Sequence, residues 1–246
     1  MELIYLATFF GALISCFLSG LAGGGGSYIT APYWLLSGMT PAQSAVTGNF
    51  MGIGLGASSL FAFRNANHYP QNKKLTVALI IVTVIASIIG ALVLSHIDIH
   101  SFKTTLGIIT ILSIPLLFID RRKIKMNKSH QRMGIIALVI LLLASSIIAS
   151  SAFSILIAVG LSQLFDLTIL ESTALRRLIS LIQSGIVFMM LVFRGNLLLP
   201  HAVAAILGGI IGSYLGTKYA IKKGEGFAKY ALAVGALIGA IALLIY

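Results

Sequence analysis

The sequence predicts an all-α fold, a polytopic bundle of transmembrane helices. Of its 246 residues, 58% are hydrophobic and only 9% are charged, whereas a soluble domain carries about 25% charged residues. The mean hydropathy is +1.03. Nearly every long segment is apolar over about 20 residues, which is enough to cross the ~30 Å hydrocarbon layer as a helix. The chain is therefore expected to span a membrane several times.

The apolar segments predict about eight spans, with two shorter apolar pieces between them. The short pieces are residues 27–37, after a glycine run, and residues 151–165, after a serine-rich stretch. Each is too short to cross a bilayer comfortably, so a broken or re-entrant segment is expected in both places. The predicted spans are residues 3–20, 45–63, 75–95, 103–119, 133–149, 172–193, 198–217 and 226–245.

The order of these elements predicts a duplication. Setting Thr40-Pro-Ala-Gln-Ser44 beside Thr168-Ile-Leu-Glu-Ser172 places Gly23–Gly26 opposite Ser151–Ser154. The expected organisation is two four-helix repeats, residues 1–120 and 133–246, joined by a basic linker at residues 121–132. Interrupted segments at corresponding positions of two repeats indicate the binding site of a transporter.

The net charge of +11 comes from basic residues in loops, above all in residues 121–132. Such clusters are typical of cytoplasmic loops, which predicts a multi-pass cell-membrane protein with this loop in the cytoplasm. With eight spans, the loop holding Lys218, Lys222 and Lys223 would lie outside, against that rule. The conflict eases if one short piece spans, because the repeats then become inverted. A nucleic-acid partner is not expected, since no basic soluble domain is present.

The glycine run is the strongest local signal of function. Four consecutive glycines cannot hold a stable helix, since each costs about 1 kcal/mol against alanine. A broken backbone at membrane depth is tolerated only inside protein or beside a water-filled cavity. The helix start that follows would offer unpaired N–H groups to an anion, with Ser27 as its cap. The substrate-binding residues expected from the sequence are Gly23, Gly24, Gly25, Gly26, Ser27, Pro32, Thr47, Asn49, Ser150, Ser151, Ser154, Arg176 and Arg177.

Arg176 and Arg177 are unusual because they lie inside the sixth predicted span. An arginine near the bilayer centre costs about 2.5–3.5 kcal/mol, so it needs a partner or a cavity. Glu171 or Asp166 could supply the partner. Alternatively, a guanidinium could face the substrate path, where it would suit bidentate binding of an oxyanion.

Several classes of function lack their residues. The six acidic residues all stand near predicted span ends, so the intramembrane carboxylate typical of cation pathways and proton relays is missing. A single cysteine excludes a cysteine-based metal cluster. The chain has neither H-E-x-x-H nor G-x-S-x-G, the motifs of metalloprotease and esterase chemistry. Neither enzymatic activity, nor a metal, nor a cofactor is expected.

The first half carries a recognisable order of motifs. Gly20-Leu-Ala-Gly-Gly-Gly-Gly-Ser27, Pro32, Gly38-Met-Thr-Pro41 and Ala45-Val-Thr47 together resemble the sulfite exporter TauE/SafE family, within the superfamily of 4-toluene sulfonate uptake permeases. The glycine-rich segment from Ala204 to Gly216 is similar to the family's C-terminal glycine-rich helix. The resemblance implies a duplicated four-plus-four helical permease for sulfite or organosulfonate anions. In the second half, Ser150–Ser154 and Arg176-Arg177 depart from the glycine, proline and hydroxyl residues usual in the family.

The expected function is secondary transport of a small anion, a sulfite- or organosulfonate-type sulfur anion, with export favoured. The alternatives are an anion channel, an importer of a sulfur compound, or a membrane subunit that binds a partner protein through residues 121–132. The expected partners are the lipid bilayer and the anion. Glycines four residues apart favour close helix packing, and they could also serve a homodimer. They lie at residues 48, 52 and 56, at 208, 212 and 216, and at 235 and 239.

Overall fold

The computed structural model describes residues 2–23, 30, 33–34, 37–69, 72–93, 111, 115, 128–147, 151–193 and 197–245. Seven helices make up nearly all of the regular structure in these ranges, which contain no strand, and this confirms the all-α prediction. They are α1 (Glu2–Ala22), α2 (Pro41–Asn65), α3 (Lys73–Val93), α4 (Lys128–Ile147), α5 (Ser151–Leu164), α6 (Ile169–Val192) and α7 (Leu199–Ile245).

Four helical stretches within the described residues are long and apolar enough to cross a membrane. They are Ile4–Leu21, Ala42–Asn65, Ile169–Val192 and Leu199–Gly235. The polytopic prediction is therefore confirmed. The count of eight spans stays a prediction, because the span expected at 103–119 lies outside the described residues apart from Ile111 and Pro115. The short piece expected at 151–165 is the 14-residue helix α5.

Helix α7 consists of two arms, residues 199–223 and 225–245, which meet at Gly224. This glycine has φ 84° and ψ −177°, a conformation that only glycine adopts without strain. The rings of Tyr219 and Phe227 lie 5.7 Å apart across the bend. The two last predicted spans are therefore joined through one glycine, with no longer loop between them.

Helices α2 and α6 begin with the same capping box. Thr40 and Thr168 are the N-cap residues, with backbone angles of −66°, 157° and −60°, 159°. Each threonine side chain accepts a bond from a backbone N–H three residues later, at Gln43 and Glu171, whose side chains accept a bond from the cap N–H in return. Both boxes satisfy N–H groups that a helix start otherwise leaves unpaired.

Helix α1 runs parallel to the first arm of α7 and packs closely along it. His201 contacts the ring of Tyr5 and the hydroxyl of Thr8. Further along, a Cβ added at Gly212 would meet the carbonyl oxygen of Leu13, and one added at Gly216 would meet that of Phe17. The glycines spaced four apart thus bring two helix backbones of the same chain together.

Helix α2 also runs parallel to this arm, whereas α6 runs antiparallel to α2. Gly54 faces Ile206, and Ser59 bonds to Thr217 further along both helices. Against α6, Gly52 faces Ser184 and Gly56 faces Leu181. A later residue of α2 therefore contacts an earlier residue of α6, as in an antiparallel pair. The rings of Phe50 and Phe188, 4.9 Å apart, continue the same antiparallel order.

Because α1 and α2 both run parallel to α7's first arm, their connection must return the chain across the bundle. Two described residues of this connection lie part-way: the ring of Tyr33 contacts the Cβ position of Gly11, and Trp34 contacts that of Gly48.

The helix directions place the basic residues together at one end of the bundle. Helices α2 and the first arm of α7 end there, with Arg64 and Lys222 in their last turns. Helix α6 begins there, since Ile169 packs with Phe63. Helix α4 begins there too, because Gly134 faces Leu164 at the end of α5. Its first residue, Lys128, lies inside the linker expected at 121–132; residues 121–127 lie outside the described residues.

Candidate arginine site

Helix α6 carries Arg176 and Arg177 deep in the bundle. They are the eighth and ninth residues of the helix, about 12 Å from its start at 1.5 Å per residue. Their side chains are only 4% and 3% exposed. They lie deeper than the sequence suggested, because the capping box at Thr168 starts the helix three residues before the span expected at residue 172.

Arg177 joins α6 to the last turn of α1. Its Nη1 and Nη2 donate to the hydroxyl of Ser19, both at 3.2 Å, and Nη2 also donates to the carbonyl oxygen of Ser19. Its Nε finds no acceptor among the described residues. One serine therefore takes all the hydrogen bonds that the structure gives this guanidinium.

Arg176 makes fewer hydrogen bonds than Arg177. Its Nη2 donates to the hydroxyl of Ser154 at 2.8 Å, which joins α6 to the first turn of α5. Within the described part of the chain, Nε and Nη1 have no acceptor. These two nitrogens carry three of the five N–H groups of a guanidinium, so most of its donor capacity is open.

Neither arginine pairs with a described carboxylate, so the structure does not show the pairing with Glu171 or Asp166 that was one possibility from the sequence. The carboxylate of Glu171 accepts instead from the backbone N–H and hydroxyl of Thr168, at 2.8 and 2.9 Å. A glutamate at the third position of a helix is well placed for such a cap. Asp166 is exposed in the preceding turn, with φ 54°. The carboxylate of Glu225 accepts from the backbone N–H of Ile169 at 3.2 Å.

The start of the glycine run lies beside the arginines. Gly23 is buried with φ 69°, and a Cβ there would lie 3.1 Å from Cγ2 of Thr173. Thr173 stands one helical turn before the arginines, and its buried hydroxyl has no partner among the described residues. We call the group formed by Ser19, Gly23, Ser154, Thr173, Arg176 and Arg177 the arginine site.

Thr47 and Asn49, also expected to bind substrate, lie near the opposite end of α2. They stand close to Phe50, whose ring contacts Phe188, a residue eleven positions after Arg177 and therefore about 16 Å away along α6. Asn49 donates to the carbonyl oxygen of Ala45 in its own helix at 2.8 Å. Thr47 is buried, and its hydroxyl has no partner in the described ranges. The structure does not bring this pair to the arginines.

For the remaining residues expected to bind substrate, the structure describes no side-chain position. Ser151 begins α5, but its side chain is not described. Six others lie outside the described residues: Gly24, Gly25, Gly26, Ser27, Pro32 and Ser150.

Comparison with known proteins identifies the family. A sequence model described as sulfite exporter TauE/SafE matches residues 7–243. The chain belongs to the TauE/SafE family. This confirms the resemblance carried by the motifs of the first half.

Curated TauE/SafE-like relatives carry transporter names. A probable membrane transporter protein, ORF9, from Sinorhizobium sp. is 25% identical over 96% of this chain and 90% of its own length. A probable membrane transporter protein from Haemophilus influenzae is 26% identical over 86% and 83%. The probable membrane transporter protein YfcA of Escherichia coli K12 is 23% identical over 88% and 81%. No solved structure matches the chain. The family and these names indicate a multi-pass membrane transporter.

Two residues of the site in this TauE/SafE protein were missed by sequence reasoning, Ser19 and Thr173. Ser19 lies one turn before Gly23 and Thr173 one turn before Arg177, so proximity along a helix to the expected residues was the available signal. Trp34 was also missed. It is 1% exposed, and its indole N–H has no acceptor among the residues described.

A second buried polar cluster lies between α2 and α7. The hydroxyl of Ser59 shares hydrogen bonds with those of Ser213 and Thr217, and Ser213 also donates to the carbonyl oxygen of Leu55 at 3.0 Å. These hydroxyls satisfy one another, so we assign them to helix packing. Among the described residues, no group of three or more His, Cys, Asp or Glu side chains could hold a metal ion.

Proposed function

We propose that this TauE/SafE protein is a secondary transporter that moves small sulfur oxyanions, sulfite or organosulfonates, out of the cell through the arginine site. One observation carries the proposal: Arg176 and Arg177 are buried without a described carboxylate, and Nε and Nη1 of Arg176 have no acceptor among the described residues.

The cost of burying two positive charges supports a role in binding an anion. A charge inside a membrane helix is expensive, and ionisable residues there mark pathways for ions or substrates. Serine hydroxyls satisfy part of the donor capacity of the pair but none of its charge. An oxyanion would supply both hydrogen-bond acceptors and negative charge, because guanidinium groups form short, charge-assisted bonds to its oxygens.

The arrangement of the helices supports the proposed duplication into residues 1–120 and 133–246. The capping boxes of α2 and α6 occupy the positions that the alignment of the halves places opposite each other. Helix α1 packs on α7, and its counterpart α4 packs on α3, so each half provides a helix to the other. The antiparallel course of α2 and α6 is the one expected of inverted repeats. A site at their interface would open alternately to each side as the halves rock.

The direction of transport follows from the proposed orientation. The clustering of basic residues at one end of the bundle supports placing that end, with residues 121–132, in the cytoplasm of a cell-membrane protein. A negative interior then favours the exit of an anion by about 2.3 kcal/mol per charge per 100 mV. Export in this form needs no intramembrane carboxylate for coupling.

The experiment is sulfite efflux from proteoliposomes, with a potassium gradient and valinomycin setting an inside-negative potential. We expect potential-driven efflux that organosulfonates inhibit and that does not require sodium. Arg176→Gln should abolish it. Arg64→Gln, which removes a charge exposed at the end of α2, is the matched control and should leave efflux intact.

Other outcomes would overturn the proposal. Ohmic anion current beyond the turnover of a carrier would indicate a channel. Flux that proceeds only inward and requires a cation gradient would indicate an importer. The absence of flux for every sulfur anion in folded protein would favour a subunit that binds a partner protein.

A further inference from the structure

We propose that the arginine site selects doubly charged oxyanions, and that the two arginines act differently. Arg176 contacts the anion, whereas Arg177 is a positioning residue that holds α6 against α1. The inference rests on the proposed function and adds to it the charge of the substrate and the role of each guanidinium.

The positioning role of Arg177 follows from its hydrogen bonds. Both of its Nη atoms bond to Ser19, to the hydroxyl and to the carbonyl oxygen. The end of a helix has carbonyl groups without partners inside the helix, and Ser19 lies in the last turn of α1. Arg177 therefore closes the end of α1 while it fixes the distance between α1 and α6. Three of its five N–H groups bond to Ser19, which leaves the N–H of Nε and one N–H of Nη1.

Arg176 has the opposite balance. A neutral hydroxyl, that of Ser154, is its one described partner, and that bond uses Nη2 alone. Nε and Nη1 have no acceptor in the part of the chain that the structure describes, although the side chain is only 4% exposed. The unpaired hydroxyl of Thr173 lies one turn earlier on the same helix. An oxyanion at Arg176 would give acceptors to groups that otherwise lack them.

The charge of the ligand follows from the charge of the site. The two arginines are neighbours in the chain and buried, and neither pairs with a described carboxylate. A ligand with two negative charges neutralises both, whereas a monoanion leaves one buried positive charge uncompensated, which is strongly unfavourable in such surroundings. Sulfite and sulfate can carry two negative charges, but a simple sulfonate carries only one. The inference therefore ranks sulfite above organosulfonates as a substrate.

The test is calorimetric binding of sulfite, sulfate and methanesulfonate to the purified full chain in detergent. We expect the two dianions to bind at least about tenfold more tightly than methanesulfonate, the scale of a charged hydrogen bond. Sulfite should bind more tightly above the pH at which bisulfite loses its proton than below it. Sulfate, a dianion throughout that range, should show no such change.

Variants separate the roles of the two residues. Arg176→Gln should lower sulfate affinity to that of methanesulfonate, and Arg176→Lys, which keeps the charge, should restore part of the preference. Arg177→Lys, which keeps the charge but loses the forked bonds to Ser19, should weaken all three anions by a similar factor. Ser19→Ala should reproduce that smaller effect and add nothing when combined with Arg177→Lys. Thermal unfolding without ligand checks that each variant is folded.

Two results would overturn the inference while leaving transport in place. One is equal affinity of the unaltered protein for sulfate and methanesulfonate. The other is loss of the dianion preference in Arg177→Lys but not in Arg176→Gln. Failure of all three anions to bind would instead reject the proposed function.

Discussion

Thr40 and Thr168 cap α2 and α6 with the same pair of reciprocal hydrogen bonds, although half the chain separates them. In both boxes the cap residue also accepts the first helical bond, from Ser44 and Ser172, at 2.9 Å. The two helices pack against each other in antiparallel directions. Two equivalent local structures therefore begin the two helices at opposite ends of the bundle.

We predict that Thr40→Ala and Thr168→Ala destabilise the protein by similar amounts. Each change removes the acceptor for a backbone N–H, which costs about 1 kcal/mol. The measurement is chemical unfolding in mixed micelles. Thr76→Ala is the control, because its hydroxyl donates to the carbonyl oxygen of Asn72 and does not act as an N-cap. A large loss at one cap alone would contradict the equivalence.

Gly212→Ala is expected to destabilise the packing of α1 on α7. A methyl group at this position would collide with the backbone of Leu13, which cannot move without shifting a whole helix. Overpacking of this kind costs about 1–3 kcal/mol. Thermal unfolding in detergent measures it.

Gly226→Ala is the matched control on the second arm of α7, since nothing lies within 4 Å of its Cβ position. Alanine favours helix over glycine by about 1 kcal/mol, so this variant should be at least as stable as the unaltered protein. Equal stabilities for the two glycine variants would refute the close contact between α1 and α7.

The hydroxyl cluster between α2 and α7 should show energetic coupling. Ser59→Ala and Ser213→Ala each remove one partner of a shared hydrogen bond. The double variant should lose about 1 kcal/mol less than the sum of the single variants, the scale measured for residues in contact. A double-mutant cycle on unfolding free energies tests this. Strict additivity of the two unfolding free-energy changes would mean that the two hydroxyls do not interact. Unchanged sulfite efflux in the single variants would agree with the assignment of these hydroxyls to helix packing.

Cysteine labelling can test the shared basic end of the bundle. In a Cys16→Ser background, which removes the buried native thiol, Lys74→Cys and Lys222→Cys should react with an impermeant maleimide from the same side of the membrane. Leu199→Cys should react from the other side, because it begins the arm that ends near Lys222. Our proposed orientation places the two lysine positions in the cytoplasm. Labelling of Lys74→Cys and Lys222→Cys from opposite sides would overturn the parallel course of α2 and the first arm of α7.

The helices were predictable from the sequence because their signals are local. The long apolar segments correspond to α1, α2, α3, α4, α6 and the arms of α7. The similarity of Thr40–Ser44 and Thr168–Ser172 likewise anticipated two equivalent helix starts. Apolar length and cap chemistry act within a few turns of one helix, so they can be read without knowing what packs against it.

Part of the candidate site was also predictable. Arg176 and Arg177 stood out because charge is costly inside an apolar helix, and Ser154 was chosen with them. Glu171, which the sequence offered as one possible partner, instead belongs to a capping box whose place depends on where α6 begins. Ser19 was not found, since nothing in a serine on α1 indicates that an arginine on α6 will reach it.

By itself, then, the sequence determined the all-helical membrane fold, the position of most helices and the presence of two buried arginines. Only the tertiary structure decided that α1 and α2 run parallel, that the basic ends meet, and that Arg177 is held by Ser19 while Arg176 keeps its donors open. The physical reason is that helix direction and side-chain pairing arise from contacts between residues far apart in the chain. Hydropathy and helix propensity do not record such contacts.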